Sequence, residues 1–400
     1  MPKHALTIVL ALLTMVGPLG IDAYLPSFHA IGATFDASPL AVQQTLSLYI
    51  AGMSVMTLFY GTLSDSFGRR PVMLVSLVLF TLTSILAALS TSIGMLVAVR
   101  VLQGLCAGAG MVIARAMVQD KFQGGEAQRM MAMITMVFGV APALAPVLGG
   151  WLQATLGWRS VFWALALFGA GLWAVSRQVL RETLPPAART PFDLRSIAAN
   201  YRRSVTSPRF VLMSVGIGLA FCGLPLYVGS AAAYVMDILH LPETAFGWLF
   251  VPMVSGLMLG SAMASRYAHR VPAERMVRLG FLVMGFGVVL SVAYTSLFTA
   301  AVPYAVLPFL FYTFGLSLAS PSMTVIALSI FPEMRGLAAS MQGFIQMALF
   351  ALVSGLVAPL VFGSAAGLAW THALLLAAGL GFWEAGSRAR ARPATPAAGT

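Results

Sequence analysis

Asp22 and Arg100 are charged residues set inside long apolar runs of this sequence, and both are candidates for chemistry. A charge in hydrocarbon costs about 2.5 to 3.5 kcal/mol or more, so it is by default functional. Asp22, in the run 5–28, could bind and release a proton; a carboxylate merely hydrated at the outer interface is the alternative. Arg100, with Gln103 three positions on, falls about 9 Å below the outer end of its run. There it requires a partner, water, or a side-chain path back to the surface. A third cluster is Gly61-Thr62-Leu63-Ser64-Asp65-Ser66-Phe67-Gly68-Arg69-Arg70-Pro71. Gly61 and Gly68 permit close or unusual backbone, while Asp65, Arg69 and Arg70 can pair across helix ends. Asp120 is the acid expected to meet Arg69 or Arg70. A fourth, Ala141 to Gly150, holds Pro142, Pro146, Gly149 and Gly150: small residues let helices approach, and prolines bend the axis.

The elements that carry these residues follow from composition. With 59% hydrophobic and 9% charged residues over 400 positions, the chain is outside the range of ordinary soluble domains, where about a quarter of residues are charged. It reads as an all-α, multi-pass membrane protein whose immediate partner is the lipid bilayer. The net charge of +11 comes from basic residues in short loops, which is a topology signal and implies no nucleic acid. Cys106 and Cys222 lie in separate apolar runs, so no disulfide framework is expected. The start of the chain does not read as a cleavable signal peptide.

Apolar runs fall at 5–28, 41–61, 71–90, 94–118, 130–152, 160–180, 209–234, 244–264, 273–294, 301–324, 336–361 and 366–386, predicting twelve transmembrane helices. An N-in, C-in orientation puts nearly every loop arginine and lysine on the inner face and leaves Arg159 outside. A basic break with Pro185-Pro186 divides the chain into two six-helix halves, 1–182 and 209–390, joined by a linker, 183–208; the tail 391–400 reads as disordered. Gly61 with Arg70-Pro71 is echoed weakly by Gly260, Arg270 and Pro272, an offset near 200 that suits parallel repeats.

The 61–71 stretch resembles the loop 2–3 signature of the major facilitator superfamily, although the family usually has a basic residue where Ser66 stands. Arg100-Val-Leu-Gln103-Gly104 resembles the buried-arginine motif of its proton-coupled members, and bundles of this type place spans 1 and 4 together. An Asp22–Arg100 interaction, direct or through water, is therefore expected. The 141–150 stretch is similar to the superfamily's antiporter motif, with Ala141 and Ala145 where the first two glycines usually stand. More narrowly, Ile21 to Pro26, Thr45 to Tyr49 and Arg181 to Pro186 resemble the Bcr/CflA group of drug:proton antiporters. The resemblance implies a monomeric exporter of small, mostly apolar drugs in the bacterial inner membrane, with the proton as coupling ion and no other cofactor.

Candidates for the substrate cavity are Tyr24, Tyr49, Met53, Gln103 and Phe138 on the first half, and Phe221, Tyr227, Tyr234, Phe344 and Gln346 on the second. Aromatic and Met residues with a few polar groups suit a re-packable apolar pocket. An intramembrane enzyme is not expected, because His4, His29, His240, His269 and His372 are placed at loops or helix ends, and no metal-ligand spacing occurs. A channel would show a filter loop or rings of like side chains. The remaining alternative is a proton-coupled importer on the same fold.

Overall fold

The structure is a computed structural model that describes residues 3–122, 124–189, 192–193, 201–267, 270–331 and 335–389. Among them all regular structure is helical. Ten helices are long and apolar enough to cross a membrane: α1 (Ala5–Phe35), α2 (Pro39–Phe67), α3 (Arg69–Ala88), α4 (Ile93–Lys121), α6 (Trp158–Val179), α8 (Gly247–Tyr267), α9 (Ala273–Leu297), α10 (Leu307–Leu328), α11 (Gly336–Val361) and α12 (Ala365–Arg388). The bent pair Pro208–Phe221 and Gly223–Gly229, α7, makes an eleventh. Helix α5, Gly124–Leu156, is a further 33 residues long and contains Pro142 and Pro146.

Local sequence explains the ends and breaks. Ser38, Ser92, Ser207 and Ser364 each accept a backbone N–H from the first turn of α2, α4, α7 and α12, satisfying one of the donors that a helix start leaves free. Pro39 and Pro208 follow two of these caps, where a proline's missing N–H costs nothing. Within α1 the first helical segment stops at Asp22, and a short 3₁₀ turn holding Pro26 leads into Phe28–Phe35. In α7 the axis turns by 43°, because Pro225 cannot complete the helical ladder; the Tyr312 hydroxyl donates to the Ala220 carbonyl at this bend, at 2.7 Å.

Helices α1 to α6 pack mainly among themselves, with α1 on α5, α2 on α4 and α3 on α6; α7 to α12 do likewise, with α7 on α12 and α10 between α8 and α9. The two sets meet where α2 lies along α11 and α5 along α8. Large apolar side chains such as Leu167, Leu282 and Leu360 point outward, as expected where the surrounding solvent is hydrocarbon rather than water. One buried apolar cluster runs through the first set and across the seam into the second, and a separate one lies within the second set among α7, α9, α10 and α12. Expectations for the linker stretch 194–200 and the tail 391–400 lie outside the described residues.

Candidate functional site

Arg100 is fully buried on α4. Its Nη2 donates to the Gly20 carbonyl at 2.8 Å, its Nε to the Thr45 carbonyl at 3.2 Å, and its Nη1 to Gln103 Oε1 at 2.5 Å. The guanidinium is also sandwiched between the rings of Tyr24 and Tyr49, at 4.2 and 4.0 Å from their centroids. Charge-assisted hydrogen bonds of about 1.5 to 3 kcal/mol each and ring faces contributing up to about 2 kcal/mol together offset a desolvation cost of several kcal/mol. A side chain held from five directions does not snorkel to the surface.

The same geometry corrects the direct form of the expected Asp22–Arg100 interaction. Asp22 ends the first segment of α1 two residues beyond Gly20, yet it makes no salt bridge with Arg100 and no hydrogen bond to another described residue. Instead Asp22 lines a cavity of about 210 Å³ between the two helix sets. Every other lining residue is apolar, among them Met53, Met111, Phe221, Phe250, Met253 and Phe350.

Of the ten cavity candidates, Met53 and Phe221 line this space. Tyr24 and Tyr49 are buried as the walls around Arg100, with the Tyr49 hydroxyl donating to the Gly17 carbonyl at 3.0 Å. Gln103 bridges Arg100 to Ser84 Oγ on α3, at 2.7 Å. Tyr227 packs on Phe309 and His372, Tyr234 donates to the Ala305 carbonyl, and Phe344 packs against the buried cluster of Phe210, Phe331, Ala338 and Met341. Gln346 sits on α11 beside Gly218, away from the cavity lining. The Phe138 side chain lies outside the described residues. Sequence reasoning missed Met111, Phe250, Met253 and Phe350, whose Met and Phe character was the available signal. His372, placed at a helix end by its neighbours, is instead buried within α12 against the Tyr312 ring; a single polar residue among apolar ones leaves the run's length unchanged, so its depth depends on where α12 begins.

The third cluster forms a network at one end of the first set. Arg69 pairs with Asp65 one helical turn before it, its Nε donates to Asp120 Oδ2 at 3.1 Å, and its Nη1 donates to Ser64 Oγ at 2.7 Å. Gly68 adopts φ +98°, a conformation that favours glycine, and this lets the chain turn from α2 into α3. The new helix start is capped by Glu182, which follows α6: its carboxylate accepts the Arg69 and Arg70 backbone N–H groups at 3.0 and 3.2 Å. Thr183 donates to Asp120 Oδ2 at 2.8 Å. Glu182 and Thr183 fall within the Arg181 to Pro186 segment, where the acid immediately after a helix is the sequence signal for this cap. Arg70 does not join the acids, since its Nη2 donates to the Arg177 carbonyl at 2.8 Å. Gly61 faces open space, so it serves no close approach here.

On α5, Pro142 lines the cavity. A Cβ on Gly149 would lie 1.7 Å from the Ala23 carbonyl oxygen, and one on Gly150 would lie 2.2 Å from that of Glu243. These glycines let α5 rest against α1 beside Asp22 and against the second set. Further contacts between the sets lie on both sides of the cavity. On one side Gln43 Nε2 donates to the Ser354 carbonyl at 2.8 Å, Gln44 Nε2 to the Gly355 carbonyl at 3.0 Å, and His29 hydrogen-bonds Asp237 at 3.0 Å. On the other, Ser54 and Tyr201 donate to the carbonyls of Phe344 and Leu58.

The family model described as Major Facilitator Superfamily matches residues 10–358. The bicyclomycin resistance protein homolog of Haemophilus influenzae is 29% identical over 364 residues, covering 91% of each chain. The multidrug resistance protein MdtL of Escherichia coli is 26% identical over 283 residues, covering 70% of this chain and 71% of its own. The solved structure of a D-xylose-proton symporter superposes with a TM-score of 0.75 at 15% identity, covering 96% of this chain and 98% of the other, a likeness of fold alone.

Proposed function

This chain belongs to the Major Facilitator Superfamily, and from that membership we propose that it is a proton-coupled exporter of small, mostly apolar compounds, working by alternating access in the inner membrane. One observation carries the reading: Asp22 is the sole ionisable side chain among the described residues that line the cavity between the two helix sets. Met and Phe surfaces adapt to ligands of varied shape, which suits a drug exporter, and the bicyclomycin-resistance relative, with the segments that resemble the Bcr/CflA group, supports the same class.

In this reading Asp22 takes a proton when the cavity opens outward and releases it when the cavity opens inward. Arg100 holds α1 to α2 and α4, so a change in its carbonyl contacts would shift the environment of Asp22. With one carboxylate, one proton enters per substrate leaving. A proton-motive force of about 150 mV then provides about 3.5 kcal/mol, enough for a gradient of a few hundred-fold. The halves are 1–182 and 209–390, joined by 183–208, with both termini inside; the Arg69 network steadies the inner ends of α2, α3 and α4 in one of two states.

Everted membrane vesicles test this. A drug that accumulates in the lumen upon lumen acidification supports export by exchange, whereas accumulation only upon alkalinisation would indicate a proton-coupled importer.

A further inference from the structure

We propose that the crevice between the ends of α3 and α6 nearest the Arg69 network binds the headgroup phosphate of an anionic phospholipid, with an acyl chain laid along α3. The crevice encloses about 310 Å³ and is lined by Arg70, Leu74, Val75, Val78, Trp173 and Arg177. Its charge is unbalanced. Arg69, one residue away, has Asp65 and Asp120 as partners, but among the described residues neither the Arg70 nor the Arg177 side chain pairs with a carboxylate, Glu182 accepting only the Arg70 backbone N–H. Arg70 spends Nη2 on a backbone carbonyl, and its Nε is buried with no partner. Arg177 lies over the Trp173 ring at 5.4 Å. Two neighbouring guanidiniums with free donors in a fixed fork match the geometry of a phosphate.

The surroundings say which phosphate. Past the arginines the crevice is apolar, and Val75, Val78 and Leu79 are 56%, 39% and 45% exposed, as on the lipid-facing side of a membrane-spanning helix. A second groove of about 600 Å³ shares Val75 and Leu79 and continues across α3 toward Leu102 on α4. From Arg70 to Leu79 the helix rises about 13 Å, close to the half-thickness of about 15 Å that one leaflet's chains fill. A site with two cations at the water boundary, an interfacial tryptophan and an apolar trough beneath fits an amphiphile, and a free anion would leave the trough empty. Because Glu182 caps the Arg69 and Arg70 N–H groups, a lipid held by Arg70 adjoins the helix start on which the charge network rests.

The test is native mass spectrometry of the full chain in detergent with added phosphatidylglycerol or phosphatidylcholine. One tightly retained phosphatidylglycerol per chain is expected, with retention at least tenfold weaker in Arg177→Gln and unchanged in Arg278→Gln. Val78→Trp, which fills the trough and leaves both arginines in place, is expected to weaken it as well. Sodium phosphate at tens of millimolar is expected not to displace the lipid. Equal retention of phosphatidylcholine, equal retention by Arg177→Gln, indifference to Val78→Trp, or displacement by phosphate would each overturn the proposal.

Discussion

Arg100 donates to the carbonyl of Gly20 and leaves the carboxylate of Asp22, two residues further along α1, unpaired. Asp22 and Arg100 are thus coupled through the α1 backbone and not by a direct ion pair. A shift of α1 against α4 alters both at once, so the roles of cation and acid are separated by substituting each residue alone.

Asp22→Asn is expected to abolish uphill export while drug binding persists, since the amide keeps the shape of the cavity wall but cannot exchange a proton. Transport in energised vesicles, beside equilibrium binding in detergent, measures this. If the variant still pumped a neutral drug against its gradient and stopped with an uncoupler, the proton would ride elsewhere.

Arg100→Lys keeps the charge but cannot reach Gly20, Thr45 and Gln103 together. Leaving one or two buried acceptors unsatisfied costs about 1 to 3 kcal/mol each. A fall in melting temperature of several degrees and a loss of export of at least tenfold are expected. Wild-type transport by Arg100→Lys would mean that charge alone suffices.

Asp65→Asn and Glu182→Gln probe the charge network. Arg69 keeps Asp120 and Ser64 when Asp65 is neutralised, so Asp65→Asn is expected to reach the membrane at normal levels and lose most transport. Glu182→Gln weakens a helix cap worth about 1 kcal/mol and is expected to lower thermal stability by a few degrees as well. Immunoblots of membranes, scored beside drug resistance, check both; disappearance of the Asp65 variant from the membrane would make it a folding residue.

Gly149→Ala and Gly61→Ala should behave oppositely. The first drives a methyl into the Ala23 carbonyl, while the second enters open space. Loss of export with Gly149→Ala and little change with Gly61→Ala are expected from a resistance assay on solid medium; an intact Gly149→Ala would mean that α5 moves off α1 freely.

Orientation is checked by Thr206→Cys, which replaces an exposed residue just before α7. With both termini inside, an impermeant thiol reagent is expected to spare it in intact cells and modify it in everted vesicles. Labelling in intact cells would reverse the proposed topology.

The membrane class, the all-helical fold and the two charge clusters were legible from the sequence because each depends on local quantities. Length and hydropathy define a span, Ser and Pro define its start, and a fixed spacing such as that from Gly61 to Arg70 marks a turn between two helices. Asp120 could likewise be matched to the Arg69-Arg70 pair by its place near a helix end, and the structure gives it to Arg69. What the tertiary structure decided is which atoms those residues meet. Tyr24, Tyr49 and Gln103 read as pocket residues because aromatic and polar side chains look alike in a sequence, whether they face a ligand or a cation; in the structure they enclose Arg100. Arg69 and Arg70 are adjacent and chemically identical, yet successive helical positions point about 100° apart, so one turns to the acids and the other to the crevice between α3 and α6. Asp22 was identifiable as a buried acid from its run alone. That it faces an apolar cavity and not Arg100 depends on the break after it and on Gly149, which lets α5 close against Ala23, contacts made across more than a hundred residues of chain.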